Sequence, residues 1–266
     1  MCRFLVYRGN PVYLEDLISH PSHSLIQQSR RAAESTTETN GDGFGVGWYS
    51  GRTSPGVFRE VQPAWSDDNL RAVSAHLRCG LFFAHVRASS GSEVNRVNCH
   101  PFAAGRFLFM HNGQVPHFTA LRRRVEAMIP DEFYGYRYGT TDSEALFLAA
   151  FGDGLEADPP SAFALVLGKI RKKMERGGCD EPLRFAAALT NGHDVWAFRW
   201  SSDDHPPSLH WLEEKRRLVI VSEPLDANLA EWRLVPANSC LFAPARESAR
   251  LMPFGPNGAT SQDETK

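Results

Sequence analysis

The order of periodicities along this chain limits its folds more than any other feature: strands first, helices in the middle, strands again. Residues 2–8 alternate and are rich in Phe, Val and Tyr, which marks a strand starting almost at the terminus. Asn40-Gly-Asp-Gly-Phe-Gly-Val-Gly-Trp-Tyr49 is a turn cluster running into a second strand. There the alternation of Gly43, Gly45 and Gly47 suits close backbone approach better than a phosphate loop. A third strand near 57–62 precedes helical periodicity over 67–78, with Leu70, Val73 and Leu77 on one face. Residues 81–87 form a mostly apolar run, and 107–110 read as a buried strand stopped by His111-Asn112-Gly113, since Asn-Gly is a strong turn signal. Helices are predicted over 117–129, 142–151 and 161–176, the second opening on the capping chemistry of Thr140-Thr141-Asp142-Ser143-Glu144. Short strands return at 184–190, 194–200, 208–212, 217–222 and 239–243. Such an order predicts layered α+β architecture rather than a βαβ parallel sheet.

No internal repeat or linker interrupts the pattern, so one domain over residues 2–252 is expected, with a polar, disordered tail at 253–266. The 29 Lys and Arg nearly balance the 31 Asp and Glu, and nothing in that balance asks for a nucleic acid. Arg122-Arg123-Arg124 reads as the solvated face of a helix. No segment approaches the roughly 18 apolar residues of a membrane span. The five cysteines, at 2, 79, 99, 179 and 240, form no CxxC pair, and no signal peptide precedes them. A soluble cytoplasmic protein with free thiols is the expectation. With no P-loop and no GxGxxG, no nucleotide or other cofactor is expected.

Cys2 becomes the first residue once Met1 is removed, which processing permits because its side chain is small. The exposed α-amine, with a pKa of about 7.7–8.0, can then act as base for the thiol, whose reference pKa is about 8.5. One residue thus supplies nucleophile and base. Alone, Cys2 reads as a small hydrophobe on a buried strand; its company argues otherwise. Asn112 and Gly113 can offer a side-chain amide and a backbone N–H to a developing oxyanion. Arg87, ending a buried strand, can clamp a carboxylate, and Asp142, at a helix start, can take an ammonium. Together these make a nucleophile, an oxyanion hole and a clamp for a free amino-acid end.

Met1-Cys2-Arg3-Phe4-Leu5, Asn40-Gly-Asp-Gly-Phe-Gly-Val-Gly-Trp48, Ala84-His-Val-Arg-Ala-Ser89, Asn98-Cys-His-Pro-Phe102, Phe109-Met-His-Asn-Gly113, Thr141-Asp-Ser-Glu144 and Ser222-Glu-Pro-Leu225 resemble, in order, the class II (N-terminal nucleophile) glutamine amidotransferases. Pro21-Ser-His-Ser-Leu-Ile26 and Pro63-Ala-Trp65 bring the chain nearest to the stand-alone Dug-type members, and beyond them to the ergothioneine-pathway γ-glutamyl amidohydrolases. The resemblance implies a four-layer αββα sandwich, the Ntn-hydrolase fold, with two antiparallel sheets. It implies Cys2 as nucleophile, Asn112 and Gly113 as oxyanion hole, and Arg87 and Asp142 as the grip on a small-molecule γ-glutamyl substrate. His85, His100 and Ser222 take support roles near that substrate, both histidines as buried, hydrogen-bonded imidazoles. The implied reaction is hydrolysis of glutamine or of a γ-glutamyl peptide such as glutathione through a Cys2 thioester. A partner subunit supplying an acceptor or peptidase activity, and a homo-oligomer, are both compatible with it. The competing readings are another terminal-cysteine amidohydrolase, a catalytically idle regulatory or scaffolding subunit, and a metal hydrolase on Cys99, His100 and His111, whose spacing is poor for a metal.

Overall fold

The alternation at the start of the chain becomes β1 (Arg3–Tyr13), and its two faces enter different cores. Phe4 and Val6 join one buried cluster, Leu5 and Tyr7 another. The computed structural model describes residues 2–33, 39–89, 93–203, 205–215 and 217–256. After β1 come α1 (Glu15–Ile18), α2 (Leu25–Arg30), β2 (Phe44–Trp48), β3 (Gly56–Glu60), α3 (Asp68–His76) and β4 (Arg78–Val86). The middle of the chain forms β5 (Phe102–Ala104), β6 (Phe107–Gln114), α4 (Phe118–Glu126), α5 (Asp131–Tyr134), α6 (Asp142–Phe151) and α7 (Pro159–Arg176). It closes with β7 (Arg184–Thr190), β8 (Val195–Ser201), β9 (His210–Glu214), β10 (Arg217–Val221), β11 (Arg233–Leu234), β12 (Ser239–Ala243) and β13 (Arg250–Pro253).

Two sheets result, with antiparallel pairing throughout the described ladders. One has seven strands in the order β11-β9-β10-β1-β4-β2-β3, the other six in the order β13-β12-β8-β7-β6-β5. Leu17, Ile18, Leu25 and Leu70 of α1–α3 cover the outer face of the first sheet against Leu5, Tyr7, Phe82 and Ala84. Leu121, Phe147, Phe163 and Val166 of α4, α6 and α7 cover the second against Phe107, Phe109, Phe185 and Phe198. Between the sheets, Phe4, Val6, Leu81 and Phe83 meet Leu108, Met110, Ala188 and Leu241. This is the expected αββα sandwich.

Local chemistry explains the helix boundaries. Thr141 caps α6, its hydroxyl accepting the Glu144 N–H at 3.2 Å, and Asp158 caps α7 ahead of two prolines. Apart from Asp142 every residue of α6 is buried, as befits a helix held between a sheet and neighbouring helices. The alternating glycines of β2 admit close neighbours. A Cβ at Gly45 would collide with the His100 carbonyl oxygen, and one at Gly47 would lie 2.9 Å from Leu108 Cδ1.

The structure departs from expectation at several places. β6 is not stopped at His111-Asn112-Gly113 but runs on to Gln114, with Asn112 opposite Ala186 and Gly113 opposite Phe185. The turn signal is local, and the ladder with β7 overrides it. Gly113 is needed because a Cβ would strike the Arg184 carbonyl oxygen. α1, α2, α5, β5 and β13 are too short for periodicity to reveal. Pro253 ends β13, and Phe254, assigned to the tail by composition, packs on Phe185 and Phe198 at ring distances of 6.0 and 4.8 Å. The rest of that tail, 257–266, lies outside the described residues, as does Met1. All five cysteines are free thiols. Among the described residues no helix is long and apolar enough to cross a membrane.

Gly45→Ala should lower the unfolding free energy by about 2 kcal/mol or more, because backbone must shift to admit the methyl. Gly135→Ala, with nothing within 4 Å of the added carbon, should stay within about 0.5 kcal/mol. Urea titrations of both variants provide the check.

Candidate active site

Strand parity gathers the chemistry at one end of the inter-sheet gap. Cys2 shares the face of Phe4 and Val6; His85 and Arg87 continue the face of Leu81 and Phe83; Asn112 continues that of Leu108 and Met110. Arg3 pairs with Val86 across β1 and β4, so Cys2 reaches the end of β4, where its thiol donates to the Ala88 carbonyl at 3.5 Å. The His85 ring lies beside the backbone of His111, which brings Asn112 to the same end. Burial pushes the Cys2 thiol up, and the positive charges of Arg87 and Arg3 oppose that rise. The Asn112 side-chain amide is buried, and its Nδ2 has no hydrogen-bond partner among the described residues. An unpaired buried donor is costly unless something else uses it.

Arg87 is held by the loops around it. Its Nη1 donates to the Asp42 carbonyl at 3.3 Å, and its Nη2 to the Glu93 carbonyl at 3.1 Å and to Ser89 Oγ at 3.2 Å. Asp42 Oδ2 in turn accepts the Ser89 N–H at 2.8 Å. The Glu93 carbonyl also accepts from Asn98 Nδ2 at 2.9 Å, while Asn98 Oδ1 accepts the Thr140 N–H at 2.8 Å. Buried Asn98 therefore staples the segment that holds Arg87 to the segment that leads into Asp142.

Asp142 opens α6 rather than capping it. Its Oδ2 accepts the Val115 N–H at 2.7 Å and its Oδ1 the Ser143 N–H at 2.8 Å, which ties the helix start to the chain just past Gly113. Underneath, His111 Nε2 faces the Arg184 carbonyl at 3.1 Å and must carry the proton, leaving Nδ1 to accept from the Ser143 hydroxyl at 2.9 Å. A cavity of about 320 Å³ opens here, lined by Gln114, Val115, His117, Arg122, Thr140 and Asp142.

The support residues differ in part from expectation. His85 and His100 are buried with their ring centroids 4.2 Å apart and the rings tilted by 31°, but their ring nitrogens have no hydrogen-bond partners among the described residues. Desolvation keeps them neutral instead: it takes His85 down to about 3, helped by the charge of Arg87, and His100 well below the ordinary range. His111 is lowered by burial too, with Asp142 opposing. Ser222 is fully buried behind β1, its hydroxyl accepting the Phe4 N–H at 3.0 Å, so it holds the strand that carries Cys2. Cys99 Sγ faces the Glu60 carbonyl at 3.5 Å, and burial raises its pKa to about 11. No three His, Cys, Asp or Glu side chains among the described residues are grouped as a metal site. Asp42, Asn98 and Ser143 lie inside recognisable motifs, yet their bridging roles had no signal in the sequence beyond that.

A thiol at the head of a central strand, an arginine and an unpaired amide in one gap of an αββα sandwich define a class, and the family comparison agrees with it. Residues 16–212 match the family model of the class-II glutamine amidotransferases, and the chain belongs to that family. It is similar to the probable glutamine amidotransferase DUG3 of Saccharomyces cerevisiae, 33% identical over 91% of this chain and 81% of that one. It is also similar to the γ-glutamyl-hercynylcysteine sulfoxide hydrolase of Mycolicibacterium smegmatis, 27% identical over 89% of this chain and 92% of that one. Among solved structures, a glutamine aminotransferase class-II domain protein from Silicibacter pomeroyi superposes with a TM-score of 0.76 at 38% identity, covering 96% of this chain and all of that one.

The neutral imidazoles imply an acid-sensitive fold. An unfolded histidine binds its proton near pH 6.5, whereas native His85 does so near 3, so below 6.5 the unfolded state binds more protons and stability falls with pH. Each such group removes about 1.4 kcal/mol per pH unit across that window. The unfolding free energy should drop steeply from pH 6.5 towards 4, and His85→Phe should show a shallower drop in the same denaturant series.

Proposed function

We propose that this enzyme hydrolyses a γ-glutamyl amide through a thioester on Cys2, after removal of Met1 has freed the α-amine. The observation that carries the reading is the unpaired Nδ2 of Asn112, a buried donor entering the same gap as the Cys2 thiol and Arg87. In this reading Arg87 and Asp142 hold the carboxylate and ammonium of the glutamyl end. The α-amine takes the thiol proton, and sulfur attacks the amide carbon. The carbonyl π electrons move to oxygen, where Asn112 and the Gly113 N–H receive the charge. Collapse expels the amine, which takes the proton back from the α-ammonium. Water then attacks the thioester, gives its proton to the α-amine, and releases glutamate and the thiol.

Glutamine and larger γ-glutamyl conjugates are both candidate substrates. The name of the Mycolicibacterium smegmatis relative supports the conjugates. A cytoplasmic setting fits five free thiols.

Intact-mass analysis with the glutamine-like electrophile diazo-oxo-norleucine tests the mechanism. Loss of Met1 and a single adduct on Cys2 is the expected result. A folded protein with Cys2 unlabelled would sink the reading and favour the idle-subunit alternative. Asn112→Ala should lower kcat about 10²–10³-fold with a smaller change in KM, and Cys2→Ala should abolish turnover of every γ-glutamyl amide tried.

A further inference from the structure

The β1–β10 ladder pairs Leu5 with Val221 at its upper end, so residues 2–4 run past the last paired residue of β10. Side chains take over where the ladder stops. Ser222 exchanges hydrogen bonds with Phe4, its hydroxyl accepting the Phe4 N–H at 3.0 Å and its own N–H reaching the Phe4 carbonyl at 3.1 Å. The next residue, Glu223, does the corresponding work for Arg3. Arg3 Nε donates to Glu223 Oε1 at 2.5 Å, and both side chains are 1% exposed. Arg3 Nη1 donates to the Cys2 carbonyl at 2.9 Å. The second carboxylate oxygen, Oε2, accepts the Ala33 N–H and faces His23 Nε2, both at 3.0 Å. Gln28 donates to the backbone carbonyls of His23 and Glu223, closing the support around the acid.

We propose that Glu223 and Arg3 are positioning residues for the nucleophile. Glu223, fixed from the Ala33 and His23 side, orients the Arg3 fork; the fork holds the Cys2 carbonyl, and thereby the direction in which the Cys2 Cα presents both its thiol and its α-amine to the gap. This inference rests on Cys2 being the nucleophile. A residue that supplies both nucleophile and base has no separate general base to absorb an error in its own backbone, so one fixed carbonyl governs both groups. A lysine at position 3 cannot make the two diverging contacts that the guanidinium makes. A buried ion pair is weak evidence of a stability role, since apolar replacements of similar volume are often neutral or stabilising, and that separates positioning from mere support.

The test uses the full chain as wild type, Glu223→Gln, and the double variant Arg3→Met/Glu223→Leu. Active sites are counted by diazo-oxo-norleucine adducts on Cys2. Turnover of L-glutamine and of γ-glutamyl-p-nitroanilide is expressed per counted site, alongside Tm and the pH dependence of Cys2 alkylation by iodoacetamide. Positioning requires kcat per site to fall at least about tenfold in both variants, KM to stay within about twofold, and the alkylation profile to shift, while the double variant keeps its Tm. A support role would lower Tm and the number of sites but leave kcat per site and the alkylation profile unchanged, and that result overturns the proposal. Should the double variant not fold, the isosteric Glu223→Gln decides alone by the same criteria. A wild type that takes no label on Cys2 overturns the catalytic reading and this inference together. A labelled, active wild type with indifferent variants overturns this inference only.

Discussion

Everything at the candidate site depends on β1 being paired on both sides, with β4 along one edge and β10 along the other. A chain's first residues are ordinarily among its least ordered. Here they begin a strand in the interior of a seven-stranded sheet, with Phe4 and Leu5 buried in different cores. Two ladders fix the backbone, two hydrophobic layers fix the faces, and Cys2 is left as the point where fixed structure gives way to the gap. β4 also delivers Arg87 one residue past its end, and β6 delivers Asn112 from the facing sheet.

The electrostatics of the gap follow from its burial. A thiol there is harder to ionise than in water, and the imidazoles that share the burial stay neutral. His85, His100 and His111 are all held below the ordinary imidazole range by desolvation. Among side chains, the charges that act on Cys2 are those of Arg87 and Arg3, both of the sign that favours thiolate. Three neutral imidazoles and two permanent cations give the side chains around Cys2 a field that changes little with protonation across the neutral range.

Where sequence reasoning succeeded and failed is physically consistent. Helix α6 was legible to the residue because its capping is local, Thr141 bonding only three positions ahead. The candidate reactive residues were legible because their types form a chemically coherent set, and Asn98, Asp42 and Glu223 were visible only as letters inside motifs. Their roles are hydrogen bonds between distant segments: Asn98 to Thr140 spans 42 residues, and Arg3 to Glu223 spans 220. The misreading at Asn112-Gly113 has the same root. A dipeptide that turns in isolation stays extended when a partner strand satisfies its backbone and a carbonyl at Arg184 leaves no room for a side chain.

The burial of α6 gives Asp142 a rigid mount. Asp142 is the only residue of that helix not buried, and of the nine behind it seven, Ala145 to Phe151, sit in one core with Phe109, Phe163 and the neighbouring helices. A ligand drawn to the carboxylate therefore pulls on an anchored rod rather than on a loop. Little freedom is left to lose on binding, so in the proposed reading a glutamyl end would be recognised at low entropic cost and with little tolerance for a different backbone. Selectivity at that end would then be a property of the hydrophobic core as much as of the carboxylate.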